Sequence, residues 1–249
     1  MPRKRLRMLL GLLGWLALSG CNYLRVTREP MEKTIFVGRG PDKARGAIVL
    51  LPGFGDRPET FQEQGFVRGL VQVAPDYDVV GADAHFGYYR NRNLLARLQK
   101  DVIGPLVAQG YRELWLIGAS MGGHGAVAYA RAHPEKIAGV MLFAPYMGPG
   151  EVVDEVKRAG GLCQYQVPPY QDTREGFARA NFGWLKQAAC SSGSPQIWLA
   201  VGDQDGLLAA DRVLADVLPR ERVLILPGKH GWKVWTPAVR QLAARAFDK

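Results

Sequence analysis

The chain has 249 residues, with 32 Lys and Arg against 23 Asp and Glu, which gives a formal charge of +9. Four of the basic residues fall in the first twenty positions, so the other 229 residues hold 28 basic and 23 acidic side chains and a net charge of only +5. Nucleic-acid binding therefore loses its main compositional support. Hydrophobic residues make up 47% and charged residues 22%, which excludes a disordered chain and a polytopic membrane protein and fits one large α/β domain.

The N-terminus has the layout of a secretory signal. A basic start is followed by an apolar run, Met8 to Leu18, which is shorter than the roughly 20 residues of a membrane span. The next residues, Leu18 to Cys21, resemble the lipobox of bacterial lipoproteins. That resemblance implies a signal peptide over residues 1–20, cleavage before Cys21 and lipid attachment to its sulfur. Asn22, rather than Asp, favours the outer membrane of a Gram-negative cell, with the protein facing the periplasm. The alternatives are an uncleaved anchor and an ordinary signal followed by a chance cysteine.

Two further cysteines, Cys163 and Cys190, would then lie in an oxidising compartment. We predict a disulfide between them, closing a loop of 28 residues, with two buried free thiols as the alternative. They lack the spacing of a metal site, and no metal is expected.

Short apolar runs alternate with helical patterns along residues 21–249, which we interpret as one domain. The continuous apolar runs are typical of strands buried on both faces of a parallel sheet. The alternation predicts a doubly wound, mostly parallel α/β sheet with right-handed crossovers. The predicted strands are Thr34–Val37, Ala47–Leu51, Asp78–Ala82, Leu114–Ile117, Ile137–Phe143, Gln196–Val201 and Arg222–Leu226. The predicted helices are Pro58–Val73, Asn93–Gln109, Gly122–His133, Leu207–Leu218 and Pro237–Phe247.

One stretch, between Pro145 and Pro195, contains no clear strand. We interpret residues 148–194 as a lid-like insertion, because long insertions in compact domains often serve as lids or binding loops. Its aromatic side chains either pack the insertion onto the domain or face a substrate; they are Tyr146, Tyr165, Tyr170, Phe177, Phe182 and Trp184.

The most informative segment is residues 114–123, which contains Gly118-x-Ser120-x-Gly122 between an apolar strand and an Ala/Gly-rich helix. This context favours a nucleophile elbow, in which a serine stands on a tight strand-to-helix turn. Residues two positions away on each side would clash with it unless they lacked a Cβ, which Gly118 and Gly122 do. The following helix directs its N-terminal N–H groups toward the hydroxyl.

At these residues the chain resembles the α/β-hydrolase family, over about residues 45–249. The run Gly118–Gly125 looks most like the elbow of esterase-D and S-formylglutathione-hydrolase-type esterases. The resemblance implies a serine nucleophile followed along the chain by an acid and then a histidine base. Ser120 is then the nucleophile and His230, in a Gly-flanked loop after a strand, is the base. The acid is Asp205, with Asp203 as the alternative in the same loop.

The other three histidines are weaker candidates for the base. His133 precedes a proline at a helix end and is expected to be a capping or surface residue. His124 lies one turn into the helix after Ser120, where a packing role is favoured over pocket lining. His85 precedes Ser120 in the chain, which departs from the family order, although its loop is expected to approach the same edge of the sheet.

An oxyanion hole is the third requirement of acyl transfer. One donor is expected from the N–H of Met121, directly after the nucleophile, and the second from Phe54 in the loop after an earlier strand. Family members usually have His-Gly where this chain has Pro52-Gly53, so the support of that loop differs. The Gly53-Phe54-Gly55 turn itself is retained.

The expected function is hydrolysis of a carboxylic ester or related acyl bond through an acyl-enzyme, without cofactor or metal. The expected partners are a small-molecule acyl ester and, through the lipid anchor, a membrane, but no nucleic acid. The alternatives are a non-catalytic binding or scaffold lipoprotein of the cell envelope and a hydrolase of another leaving group, such as a peptidase or haloperoxidase-like enzyme. Arg90, Arg92 and Arg97 are compatible with an anionic substrate, although exposed arginines are usually only solvated.

Overall fold

The computed structural model describes residues 25–191 and 195–247. The predicted signal peptide and Cys21 lie outside these residues. Seven strands form one sheet, and every strand predicted from the sequence is confirmed with its ends within two residues. The strands are β1 (Lys33–Val37), β2 (Gly46–Leu51), β3 (Tyr77–Ala82), β4 (Leu114–Ala119), β5 (Gly139–Phe143), β6 (Gln196–Gly202) and β7 (Val223–Leu226).

The strand order is β1-β3-β2-β4-β5-β6-β7. β1 pairs antiparallel with β3, and the other pairs are parallel. The strands β2 to β5 are buried along their whole length, as their continuous apolar sequences predict. The doubly wound, mostly parallel sheet is therefore confirmed.

Ten α-helices connect the strands in the described ranges. They are α1 (Pro58–Glu63), α2 (Phe66–Val73), α3 (Phe86–Arg90), α4 (Leu94–Arg97), α5 (Gly104–Gln109), α6 (Met121–Ala132), α7 (Gly150–Arg158), α8 (Arg174–Cys190), α9 (Leu208–Ala215) and α10 (Trp232–Phe247). In these ranges no helix combines the length and hydropathy needed to cross a bilayer.

The helices cover both faces of the sheet and divide the core in two. Along β2, Val49 and Leu51 belong to one hydrophobic cluster and Ile48 and Leu50 to the other, because successive side chains of a strand point to opposite faces. One cluster contains side chains of α1, α2 and α10. The other contains side chains of α4 to α9. The sheet is thus buried between two helical layers, and only its strand ends and loops remain available for a site.

Two predicted helices are interrupted. The helix expected over Pro58–Val73 is two helices, because Gly65 adopts a left-handed conformation with φ 73°. The helix expected over Asn93–Gln109 contains a π-helical segment, Leu98–Ile103, ahead of Pro105. Proline has no N–H to donate to the carbonyl four residues earlier, and that carbonyl, of Asp101, accepts instead from Lys33 Nζ at 2.8 Å.

Four further helices differ from the sequence prediction. The C-terminal helix begins at Trp232 rather than Pro237, which lies inside it. The short helix α3 was not predicted. The insertion, which was predicted only to lack a clear strand, contains the helices α7 and α8.

Core packing, a side-chain hydrogen bond and a disulfide hold the insertion against the domain and its two helices together. Val152 and Phe182 are fully buried in the core. Arg179 Nε donates to Glu155 at 2.9 Å and so joins α8 to α7. A disulfide joins Cys163 to Cys190 at the end of α8, with Cα atoms 5.7 Å apart. Residues 148–191 therefore form a packed wall of the domain in this structure.

Candidate active site

Three predicted site residues follow three strands of the sheet. Ser120 comes directly after β4, Asp205 follows β6 and His230 follows β7. Because β4 to β7 are parallel, their carboxyl ends lie along one edge. Ligands of open α/β sheets bind at this edge.

Ser120 stands on a strained turn. Its φ of 51° and ψ of −116° lie in a region that non-glycine residues rarely occupy. A Cβ at Gly118 would lie 2.3 Å from the carbonyl oxygen of Gly122, and one at Gly122 would lie 2.0 Å from that of Leu51. Both positions therefore exclude any other residue. The turn is held by Ser120 N–H, which donates to Phe143 O at 2.8 Å.

His230 is oriented by a buried carboxylate. Its Nδ1 lies 2.9 Å from Asp205 Oδ2 and 3.0 Å from Oδ1. The Asp205 side chain is 0% exposed and also accepts from the N–H of Leu207 at 2.8 Å. A carboxylate in this position keeps the proton of the neutral imidazole on Nδ1. Nε2 is then the nitrogen available as a base.

Asp203 has a different role in the same loop. Its Oδ1 accepts from Gly228 N–H at 2.8 Å, two residues before His230. It acts as a turn residue that supports the histidine loop. The structure therefore brings Asp205, and not Asp203, to the imidazole.

The loop expected to supply the second oxyanion donor lies against the serine. A Cβ at Gly53 would be 3.5 Å from Ser120 Cβ, so the residue directly before Phe54 lies close to the serine. On the other side of the serine, Met121 begins α6. The first N–H groups of a helix have no intrahelical acceptor and carry the positive end of its dipole. The two residues predicted as backbone donors thus lie next to Ser120 in the chain or next to a glycine that approaches it.

Asp56 is a site residue that the sequence analysis missed. It hydrogen-bonds to Trp232 and interacts electrostatically with His230, while burial raises its pKa. Its Oδ2 lies 3.2 Å from where a Cβ on Gly53 would stand. Through its hydrogen bond to Trp232, Asp56 links the Phe54 loop to the segment that follows His230. Nothing in the sequence distinguishes this aspartate from a turn residue, since the link depends on two loops that are distant in the chain.

A cavity of about 790 Å³ opens beside Ser120. Its wall is largely apolar, contains seven aromatic side chains, and combines the Phe54 loop, helix α3 and the insertion. The aromatic residues lining it are Phe54, Phe86, Tyr88, Tyr89, Tyr146, Tyr170 and Phe177. Tyr165, Phe182 and Trp184 belong instead to the core. Some of the aromatic side chains listed for the insertion therefore face the cavity, and the others pack the insertion onto the domain.

Charged residues are confined to the outer part of the cavity lining. Arg90, Arg92 and Arg174 line it, and Arg92 Nη1 contacts Asp172 at 3.0 Å. Arg97 is buried away from the cavity and forms an ion pair with Asp101 at 2.8 Å. Of the three arginines considered from the sequence, only Arg90 and Arg92 could meet a substrate.

His124 lines the cavity on the helix behind Ser120. Its Nδ1 lies 3.1 Å from the carbonyl oxygen of Tyr146, and burial lowers its pKa to about 4. The imidazole is therefore neutral near pH 7, with Nδ1–H donating to that carbonyl. Nε2 has no hydrogen-bond partner among the described residues and can accept one from a bound molecule.

The other two histidines have structural roles. His85 is buried and caps α3, with Nδ1 accepting from Gly87 N–H at 3.1 Å. Burial lowers its pKa. His133 ends α6 and packs against the ring of Tyr129. Neither lies in the cavity lining.

Asp211, on α9, is a second buried carboxyl group behind the site. It is 0% exposed, and neither carboxyl oxygen has a hydrogen-bond partner in the described part of the chain. Burial and the charge of Asp205 raise its pKa to about 9. It is thus protonated near pH 7, which avoids a second negative charge beside Asp205.

Comparison with known proteins agrees with this architecture. The serine aminopeptidase S33 (Hydrolase_4) family profile matches residues 42–173, a range that includes Phe54 and Ser120 and ends before Asp205 and His230. A comparison with curated proteins finds no significant match.

Several solved structures share the fold at low sequence identity. S-formylglutathione hydrolase from Staphylococcus aureus is 15% identical, with a TM-score of 0.57 over 88% of this chain and 98% of that one. Est1E from Butyrivibrio proteoclasticus, with ferulic acid bound, is 14% identical, with a TM-score of 0.56 over 88% and 96%. A hydrolase from Pseudomonas aeruginosa is 18% identical, with a TM-score of 0.54 over 90% and 96%. Together with the profile match over more than half of its length, this fold identifies the chain as a member of the serine aminopeptidase S33 (Hydrolase_4) family of α/β-hydrolases.

Proposed function

We propose that the protein is a serine hydrolase that cleaves carboxylic esters through an acyl-enzyme, with Ser120, Asp205 and His230 as its catalytic triad. The observation that carries the proposal is the contact of His230 Nδ1 with the buried Asp205 carboxylate, at the sheet edge where the strained Ser120 stands. A non-catalytic binding protein would have no need to keep this strain and this buried charge together.

In the first half of the reaction, His230 Nε2 takes the proton of Ser120 Oγ as the oxygen attacks the acyl carbon. The carbonyl electron pair moves to oxygen, and the N–H groups of Phe54 and Met121 stabilise the resulting anion. Asp205 stabilises the imidazolium while keeping its own charge. The tetrahedral intermediate then collapses, and Nε2–H protonates the departing alkoxide.

In the second half, water takes the place of the alcohol. His230 removes one proton from the water as it attacks the acyl carbon, and the same two N–H groups bind the second oxyanion. Collapse breaks the bond to Ser120 Oγ, which receives the proton from His230. The carboxylic acid leaves, and the enzyme returns to its starting state.

Ester cleavage is preferred over amide cleavage because an alkoxide leaving group needs less assistance than an amine. Two structural neighbours point the same way: one is named for S-formylglutathione, a thioester, and another holds ferulic acid. The largely apolar cavity beside Ser120, with seven aromatic side chains in its lining, is suited to an apolar acyl group.

Turnover of p-nitrophenyl esters of increasing acyl length tests this proposal, together with fluorophosphonate labelling. Wild type should be labelled and active, and Ser120→Ala should be neither. Ser191→Ala, which removes an exposed serine at the end of α8, is the matched control and should behave as wild type. A folded wild-type protein that neither labels nor turns over any ester in the series would overturn the proposal in favour of a binding protein.

We further propose that the enzyme is a lipoprotein attached through Cys21 to the outer membrane and facing the periplasm. The support is the basic and apolar leader that ends in Leu18-Ser19-Gly20-Cys21. Metabolic labelling with a palmitate analogue should mark wild type but not Cys21→Ser, and membrane fractionation should release the variant. Absence of label on wild type would refute the anchor without touching the catalytic proposal.

A further inference from the structure

The chain enters the domain at the rim of the cavity. Arg25 Nη1 donates to Asp83 Oδ1 at 2.8 Å, and the side chain of Asp83 is almost fully buried. Three residues later, the hydroxyl of Tyr88, which lines the cavity, donates to Arg28 O at 2.9 Å. A Cβ at Gly87, beside Tyr88, would lie 2.8 Å from the carbonyl oxygen of Arg25. The entry point is therefore fixed against helix α3.

The distance from this entry point to Cys21 is short. Arg25 is only four residues after Cys21, and an extended chain spans at most about 3.3–3.6 Å per residue. A lipid on Cys21 would thus hold Arg25, and with it the α3 side of the cavity, within roughly 14 Å of the anchored sulfur.

Four apolar side chains lie in the cavity lining or next to α3, namely Val26, Phe54, Phe86 and Tyr170, here called the apolar rim. All four are exposed, Val26 to 81%, and the last three line the cavity. The rings of Phe54 and Phe86 contact each other edge to face, with centroids 5.1 Å apart. The backbone of Val26 interacts with His85, which precedes Phe86, so this exposed residue lies next to α3.

The charge next to this rim is basic. Arg90 lines the cavity, is exposed and has no ion-pair partner among the described residues. Basic side chains beside an apolar contact surface are attracted to anionic lipids. Exposed apolar side chains that lie together mark a contact surface for a ligand, a partner or a membrane.

From the tether length, the apolar rim and the charge, we infer that the mouth of the cavity docks on the surface of an anionic phospholipid bilayer and admits the acyl chain of a membrane-resident ester. The inference rests on the proposed function and on the proposed lipid on Cys21. It assigns a substrate class, long-chain acyl esters held in a membrane, to the same catalytic site.

The test compares one long-chain fluorogenic ester embedded in phosphatidylethanolamine/phosphatidylglycerol vesicles with one soluble short-chain ester. Full-length lipidated protein is reconstituted in the same vesicles. The variants are a flexible insertion of about twelve Gly and Ser residues between Tyr23 and Leu24, and Val26→Asp. Val107→Asp is the matched control, because its exposed valine lies on α5, which leads into the amino-terminal edge of the sheet, opposite the site.

The inference predicts that the insertion and Val26→Asp each lower turnover of the vesicle ester at least about fivefold, while turnover of the soluble ester is unchanged. Val107→Asp should leave both rates unchanged. Equal ratios of the two rates in all four proteins would overturn the inference, as would a change of oligomeric state on Val26→Asp without loss of the vesicle rate, since that result would assign the rim to a second copy of the chain. Failure of the proposed esterase activity would be seen separately, as loss of soluble-ester turnover in wild type.

Discussion

Asp205 contacts His230 Nδ1 at 2.9 Å with a carboxylate that solvent does not reach, whereas Asp203, two residues earlier, holds the backbone of the histidine loop. The two aspartates lie in the same loop but bind different groups. Replacing Asp205 should disturb the orientation of the His230 imidazole, whereas replacing Asp203 should disturb only the support of the loop that carries it.

Asp205→Asn should lower kcat by about 10⁴-fold, because an amide in this position favours the wrong tautomer of the imidazole; a loss of this size is known for serine proteases. Asp203→Asn keeps an acceptor for Gly228 N–H and should change kcat little. Steady-state kinetics on a p-nitrophenyl ester measure both effects. A larger loss in Asp203→Asn than in Asp205→Asn would contradict the assignment.

The elbow glycines should not tolerate a methyl group. Gly118→Ala forces a Cβ to within 2.3 Å of a backbone oxygen, so the free energy of unfolding should fall by about 1–3 kcal/mol or more. Gly206→Ala is the control, since nothing lies within 4 Å of its Cβ position, and it should fall within about 0.5 kcal/mol of wild type. Urea denaturation measures both. Equal stability of the two variants would show that the turn is less constrained than its geometry indicates.

Asp211 should make the protein less stable as pH rises. Its pKa is raised to about 9 in the folded chain and is about 3.9 when unfolded, so only the native state holds this proton between those values. Its contribution to stability is therefore lost progressively from about pH 4 to about pH 9. Asp211→Asn removes this dependence.

The measurement is the difference in Tm between Asp211→Asn and wild type, followed from pH 5 to pH 8. The Tm of Asp211→Asn should rise relative to that of wild type as pH increases, because only wild type holds the Asp211 proton whose stabilising contribution is lost. A difference that stays constant over this range would mean that Asp211 is ionised in the folded state.

The disulfide should stabilise the insertion. Replacing Cys163 and Cys190 together by serine opens a loop of 28 residues, for which chain entropy suggests a loss of about 3.6 kcal/mol. Denaturation of wild type with and without reductant, compared with the double variant, measures the loss. If reductant does not shift the midpoint of wild type, the bridge contributes nothing to stability.

Much of the fold could be predicted from the sequence because the signals are local. A strand buried on both faces reads as an unbroken apolar run, as in Ala47–Leu51, and several such runs, together with the more exposed edge strands β1 and β7, locate the seven strands. The elbow is equally local, since Gly118, Ser120 and Gly122 lie within five consecutive residues. The insertion helices were missed because glycines and prolines dominate the flanking loops, while the apolar faces of α7 and α8 depend on what they pack against.

The rest of the site depends on contacts between distant parts of the chain. Asp203 and Asp205 lie in one loop, and the family's Gly-x-x-Asp spacing favours Asp205; what each carboxylate contacts becomes visible only in the structure. Asp56 and His124 acquire their surroundings from loops that lie far away along the chain. The entry of the chain beside the cavity at Arg25 carries no sequence signal at all, because it depends on an ion pair with Asp83.

The most direct test of the central claim is detection of the acyl-enzyme. Wild type is mixed with a slowly hydrolysed ester and quenched in acid, and its peptides are examined by mass spectrometry. We predict that the peptide containing Ser120 gains the mass of one acyl group, and that Ser120→Ala gains none at any residue while remaining folded. Acyl transfer to another side chain, or turnover of the ester by Ser120→Ala at the wild-type rate, would contradict the account.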